Sequence, residues 1–120
     1  MSMNITGLYP SLVLAVLKSS NSASDYRNDH GAQVLLKKLR SSDRTIQCLA
    51  AGQLKDYASV SLSPKMLDKI VDKLIQHLQE DKSPSVQAAC FQTLTAFADA
   101  HVADTELWAK IELALSMYQQ

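Results

Sequence analysis

Residues that turn a chain back on itself are scarce in this sequence, which has three glycines and three prolines among 120 residues. Proteins built on hairpins need such residues at their turns, so their scarcity argues against an all-β fold. Aromatic residues are also few, at 6% of the chain. No stretch alternates apolar and polar residues for long enough to predict a strand. The composition, rich in Leu, Ala, Lys and Gln, therefore favours helices.

The chain also lacks a net charge, because twelve basic residues balance twelve acidic ones. A protein dedicated to nucleic acid usually carries a basic excess, since phosphate contacts supply much of its affinity. Neutrality counts against that class, although it leaves room for a local basic patch. The 47% of apolar and 20% of charged residues are typical of a globular chain, and the length suits one domain.

Features of secreted and membrane proteins are weak. Cys48 and Cys90 lie far apart without metal-site spacing, so we expect two buried thiols in a reducing compartment. The apolar run at residues 12–17 is too short to span a membrane. No Lys or Arg precedes this run, which argues against a signal peptide. We therefore expect a cytoplasmic or nuclear protein that does not contact a membrane.

Start signals and apolar spacing predict six helices. Two Ser-Pro pairs, at residues 63–64 and 83–84, each place an N-cap before a proline at the first helical position. Asp43 and Asp104 are the expected N-caps of two more helices. The predicted helices are residues 10–19, 31–40, 44–59, 64–80, 84–101 and 105–118. Residues 1–30 then hold an N-terminal helix and a polar loop, and residues 31–120 hold the rest of a single domain.

An internal repeat of about 40 residues organises these helices. Leu36 and Leu39 recur as Ile75 and Leu78, 39 residues later. In the helices that follow, the matching residues lie 40 apart, and they pair Ile46 with Val86, Gln47 with Gln87, Ala50 with Cys90, Leu54 with Leu94, and Tyr57 with Phe97. The match extends by 40 residues in both directions, from Leu54 back to Leu14 and from Leu67 on to Leu107.

This period predicts an all-α fold made of two full helix pairs with half a repeat at either end. Each pair leaves an apolar face uncovered, and stacking of the next pair buries that face. A period near 40 built from two helices is typical of HEAT and armadillo arrays. We therefore expect a short right-handed α-solenoid of HEAT/armadillo-like helix pairs.

Residues 35–54 and 74–94 each resemble a HEAT repeat. In that family a leucine-rich first helix meets a short turn with Asp or Pro, and a second helix opens on Val and continues through small residues to a Leu. Asp81, Pro84 and Val86 occupy the corresponding positions of the second stretch. Gln47 and Gln87 stand where the family usually carries Arg, so the family's Asp–Arg ladder is not expected in its usual form. The resemblance covers about residues 31 to 118.

The resemblance also implies a partner-binding surface. The second helices of HEAT-like solenoids line a concave face, where partners commonly bind. If Ile46, Ala50, Leu54 and Tyr57 face the core, the residues expected on this concave face are Gln47, Ala51, Lys55, Gln87, Phe91 and Thr95. Phe91 would suit an anchor in a partner's pocket. The alternative is that Phe91 packs against the neighbouring repeat.

Two further surfaces are candidates for contacts with other molecules. A basic group around one turn would suit an acidic partner or a phosphate backbone, and it comprises Lys37, Lys38, Arg40 and Arg44. The last helix carries more apolar residues than one preceding helix pair can cover, namely Trp108, Ile111, Leu115 and Met117. These four residues predict self-association, a partner contact, or continuation into a longer array.

No constellation of catalytic residues occurs in the sequence. It has no Gly-x-Ser-x-Gly motif, no glycine-rich phosphate loop and no His-Glu-x-x-His motif. His30, His77 and His101 are too scattered to predict a metal site. We therefore expect neither cofactor nor metal, and interpret the chain as a non-catalytic module or adaptor that binds another protein. The alternatives are a nucleic-acid-associated helical repeat that uses the basic group, and a capping or dimerising fragment of a larger HEAT array.

Overall fold

The computed structural model describes residues 27–81 and 83–118 of the chain. Within these ranges it contains α-helices and one short 3-10 helix, Lys55–Tyr57, and no strand. The helices are α1 (Asp29–Leu39), α2 (Arg44–Leu54), α3 (Pro64–Glu80), α4 (Pro84–Ala100) and α5 (Thr105–Tyr118). The predicted all-α class is confirmed for this part of the chain. The helix predicted at residues 10–19 and most of the polar loop after it lie outside the described residues.

The helix starts follow local hydrogen bonds that the sequence signals. Asp43 caps α2 by accepting a hydrogen bond from the Thr45 N–H at 2.9 Å, and Ser63 caps α3 in the same way. The first helix begins two residues before its predicted start, because the Asn28 side chain accepts a hydrogen bond from the Gly31 N–H at 3.0 Å. Side-chain caps satisfy amide groups that have no partner within the helix.

The end of the second helix differs from its prediction. The helix was expected to run to about residue 59, but α2 ends at Leu54 and the chain tightens into the 3-10 turn. Tyr57 and Ala58 nevertheless stay buried. The apolar spacing of this stretch therefore reports burial correctly, and it does not distinguish an α-helix from a 3-10 turn.

The helices pack as two pairs and a single helix. The helix α1 packs on α2, and α3 packs on α4. Between the pairs, α1 contacts α3 and α2 contacts α4, while α5 packs against both helices of the second pair. One continuous core results, and its fully buried members include Leu54, Ile70, Val71, Leu74, Leu94, Phe97 and Ile111.

Two glutamines at equivalent repeat positions make equivalent hydrogen bonds. The Gln47 side-chain amide donates to the Leu39 carbonyl at 3.1 Å, and the Gln87 amide donates to the Leu78 carbonyl at 3.2 Å. The last carbonyls of a helix lack partners within that helix, so each glutamine satisfies one at the end of the preceding helix. The internal repeat of the sequence thus has a counterpart in hydrogen bonding.

Polar contacts also join one helix pair to the next. The buried Thr93 hydroxyl on α4 donates to the Ala51 carbonyl on α2 at 2.7 Å. The Arg44 guanidinium contacts the Asp81 carboxylate at 2.8 Å and so connects the turns of the two pairs. Buried polar groups need such partners, because an unsatisfied one costs about 1–3 kcal/mol.

Candidate protein-binding groove

Two residues expected on the concave face are buried. Gln47 is 9% exposed, because its side chain folds back to the Leu39 carbonyl, and Ala51 is fully buried beneath α4. The prediction that Gln47 and Ala51 lie on an open surface is therefore wrong. A small residue at position 51 lets α4 approach closely enough for Thr93 to reach the Ala51 carbonyl.

Three of the other predicted residues come together. Lys55, Phe91 and Thr95 line one open groove of about 330 Å³, which we call the Phe91 groove. The remaining lining residues are Gln92, Ala96 and Asp99. Gln87 is half-buried, lies outside this groove, and donates its hydrogen bond to the Leu78 carbonyl.

The residues that sequence reasoning missed lie on the same helix face as Phe91. Positions 92, 95, 96 and 99 fall one, four, five and eight residues after Phe91, which places them on one side of a helix. Helical spacing from Phe91 was therefore the signal that could have found Gln92, Ala96 and Asp99.

Phe91 is half-buried and belongs to both alternatives raised by the sequence. Its ring lies 5.4 Å from the Tyr118 ring at a tilt of 43°, so it packs against the end of α5. Tilted aromatic pairs of this kind contribute about 0.5–1.5 kcal/mol beyond their buried area. The rest of the ring lines the groove. The contact with Tyr118 holds the Phe91 ring in place without covering it.

Charged groups of both signs border the Phe91 groove. Lys55 and Asp99 are exposed, whereas Phe91 and Ala96 are half-buried. The Thr95 hydroxyl donates to the Phe91 carbonyl at 2.9 Å. This arrangement offers an apolar surface with a cation and an anion at its edge, which suits a side chain of a protein segment.

The basic group is exposed, and one of its members is already paired. Lys37, Lys38, Arg40 and Arg44 all face solvent. The guanidinium of Arg44 lies 2.8 Å from the Asp81 carboxylate, which offsets its charge. Lys37 and Lys38 lie in the last turn of α1, where the helix dipole stabilises positive charge without any ligand.

The last helix exposes only part of its predicted apolar stripe. Ile111 is fully buried and Leu115 is 7% exposed, because α5 packs on both α3 and α4. Those two positions were expected on an outer surface, and that expectation is wrong. Trp108 and Met117 are exposed, but nine residues separate them, which is about half a turn out of phase on a helix. They do not form one continuous stripe.

A scan against protein-family models, a search of curated proteins and a search of solved structures found no match to this chain. Across the described residues, no helix is both long and apolar enough to cross a membrane. Within residues 27–81 and 83–118, no three His, Cys, Asp or Glu side chains converge in a way that could hold a metal ion. The functional argument therefore rests on the geometry above.

The two cysteines have different environments although both are free thiols. Cys90 is fully buried, and this burial, with smaller contributions from Asp81 and Cys48, raises the pKa of its thiol to about 12. Cys48 is half-buried at the surface of the core. Because a raised pKa disfavours the thiolate, Cys90 contributes most to stability below about pH 8.5, and that contribution falls as the pH rises toward 12.

We expect Cys90 to react with iodoacetamide at pH 8 at least about a hundredfold more slowly than Cys48, since the thiolate is the nucleophile. Mass spectrometry of the alkylated peptides measures both rates in one sample. In guanidinium chloride the two rates should become equal. Equal rates in the native protein would contradict the burial of Cys90.

Proposed function

We propose that this chain is a non-catalytic protein-binding module, a short α-solenoid of HEAT-like helix pairs whose Phe91 groove receives a segment of another protein. One observation carries the proposal: Lys55, Phe91 and Thr95, selected from the repeat register, line a single groove. Residues from α4 and from the turn after α2 meet there.

Three structural features support the HEAT-like arrangement. The helices α1 and α2 form one pair, α3 and α4 form the next, and like helices of the two pairs contact each other. The glutamines of the second helices cap the first helices in both pairs. The Arg44–Asp81 ion pair links consecutive turns, as a ladder between repeats does.

The lining of the groove defines the chemistry of the segment it would bind. An apolar side chain of the partner would pack beside Phe91 and Ala96, and a carboxylate next to it would pair with Lys55. A half-buried aromatic ring that is already fixed loses little conformational entropy on binding, and aromatic residues often dominate interface energetics. The partner is therefore expected to present an apolar residue next to an acidic one.

The test is capture of binding proteins from native extract by the wild-type chain and by a Phe91→Asp, Lys55→Glu double variant. This variant places negative charge in the groove, so we expect it to lose at least about tenfold of the captured partner, as removal of a central interface residue does. Quantitative mass spectrometry of the captured proteins measures the loss, and circular dichroism establishes that the variant is folded.

A matched control carries the same types of substitution away from the groove. Val102→Asp with Lys65→Glu changes one exposed apolar residue and one exposed lysine, neither of which lines the groove. This control should retain the partner. If the groove variant and the control capture the same proteins in the same amounts, the Phe91 groove is not the binding surface, and the basic group and α5 become the surfaces to test.

A further inference from the structure

Equivalent positions of the two helix pairs differ sharply in burial. Val86 is fully buried, whereas its equivalent Ile46, 40 residues earlier, is 39% exposed. Thr93 is fully buried, whereas its equivalent Gln53 is exposed. The sequence pattern is shared, so the difference comes from what lies next to each pair.

The second pair has a neighbour on this side and the first pair exposes the corresponding face. Thr93 donates its hydroxyl to the Ala51 carbonyl of α2, which shows that α2 covers this side of α4. On the first pair the same side is apolar and open, with Val34 40% exposed and Leu49 59% exposed. We call this surface the outer face and define it by Val34, Ile46, Leu49 and Gln53.

An open cavity of about 540 Å³ adjoins the outer face. Its lining includes Val34, Leu35 and Gln53, and it shares no residue with the Phe91 groove. Apolar side chains gathered on one face of a small domain indicate that another element covers them. The repeat indicates the shape of that element, because the surface that α2 presents to α4 belongs to a second helix of a pair.

We propose that residues 10–19 of this chain dock on the outer face as the second helix of a preceding half repeat. The 40-residue shift that relates Leu94 to Leu54 also relates Leu54 to Leu14, which lies in the apolar run at residues 12–17. That run supplies the apolar side chains that cover Ile46 and Leu49. The proposal commits to this segment rather than to a second molecule.

The length of the connection permits this docking. Residues 20–28 form a nine-residue connection, as do residues 55–63 between α2 and α3. Nine residues span at most about 30 Å when extended, whereas a helix of eleven residues such as α1 is about 16 Å long. A tether this short also gives the segment an effective concentration of the order of millimolar, which favours it over a separate molecule.

The repeat predicts a specific register for the docked segment. Thr93 contacts Ala51, so a shift of 40 residues places Gln53 beside Ser11. We therefore test the full chain with Ser11→Cys and Gln53→Cys in a Cys48→Ser background. Cys90 stays in place because it is buried. A disulfide forms only when the two Cα atoms lie within about 4.4–6.8 Å, so the reaction reports the register.

With oxidised glutathione we expect an intramolecular disulfide that forms at least tenfold faster than in a control with Ser11→Cys and Val102→Cys. Val102 is exposed and lies just after α4, away from the outer face. Non-reducing electrophoresis and mass spectrometry of the linked peptides measure both rates. Equal rates for the two pairs would overturn the proposal. Disulfide-linked dimers, whose yield rises with protein concentration, would also overturn it and would assign the outer face to a second copy.

A second variant measures protection of the outer face directly. An Ile46→Cys reporter in the full-length Cys48→Ser chain should be alkylated about tenfold faster when Leu14→Asp is also present, because the charge opposes docking. A Val102→Cys reporter should show no change. If Leu14→Asp leaves the Ile46→Cys rate unchanged, residues 10–19 do not cover the outer face. Partner capture through the Phe91 groove is measured separately, so either proposal can fail alone.

Discussion

Replacement of Phe97 by alanine should lower the free energy of unfolding by about 3–5 kcal/mol, the usual cost of deleting a buried phenyl ring. Phe97 is fully buried, and its ring stacks on the His101 ring at 6.2 Å with an interplanar angle of 14°. The His101 Nε2 atom lies 2.9 Å from the Ala58 carbonyl of the first pair. Loss of the ring therefore leaves a cavity and also loosens a contact between the pairs.

Urea unfolding followed by far-ultraviolet circular dichroism measures this change. Phe91→Ala is the matched control, since it removes the same ring from the same helix at a half-buried position. We expect this control to cost about 1 kcal/mol, because less apolar area returns to water. Similar losses in the two variants would show that Phe97 does not lie at the centre of the core.

Much of the fold was predictable because its determinants are local. The caps at Asp43 and Ser63 act on amides two or three residues away, so sequence position alone reveals them. The repeat was likewise visible, because burial imposes apolar residues at fixed spacing. Ile46 shows where this reasoning ends. Its sequence context matches that of Val86, and only the neighbouring element determines that one is exposed and the other is buried.

The binding surface was partly predictable, and the reason lies in the glutamines. Polar side chains usually face water, so Gln47 was expected on the surface. Its amide instead reaches the Leu39 carbonyl at the end of the preceding helix, a contact that depends on how two helices meet. Phe91 was identified by its contrast with the equivalent Ala51. Its contact with Tyr118, however, required the position of α5.

Replacement of Asp81 by alanine should be the most destabilising single change in the turns, at about 2 kcal/mol, because it removes several hydrogen bonds to one charged group. The Asp81 carboxylate is 10% exposed and accepts hydrogen bonds from the Ser83 N–H and the Arg44 guanidinium, both at 2.8 Å. His77 lies 3.6 Å away. Arg44→Ala is the control, and it should cost less because Arg44 is 57% exposed.

The pH dependence of stability should separate the charge of Asp81 from its size. Burial acts to raise the pKa of Asp81, but the hydrogen bonds from Ser83, Arg44 and His77 outweigh it and hold that pKa below its ordinary value. The stabilisation is therefore present above about pH 4, the unfolded value, and is lost as the pH falls through the folded pKa. Urea unfolding between pH 7 and pH 3 should show a steeper loss in the wild type than in Asp81→Asn, which keeps an acceptor but no charge. Parallel curves for the two proteins would mean that the Asp81 carboxylate joins the helix pairs through its shape and hydrogen bonds alone.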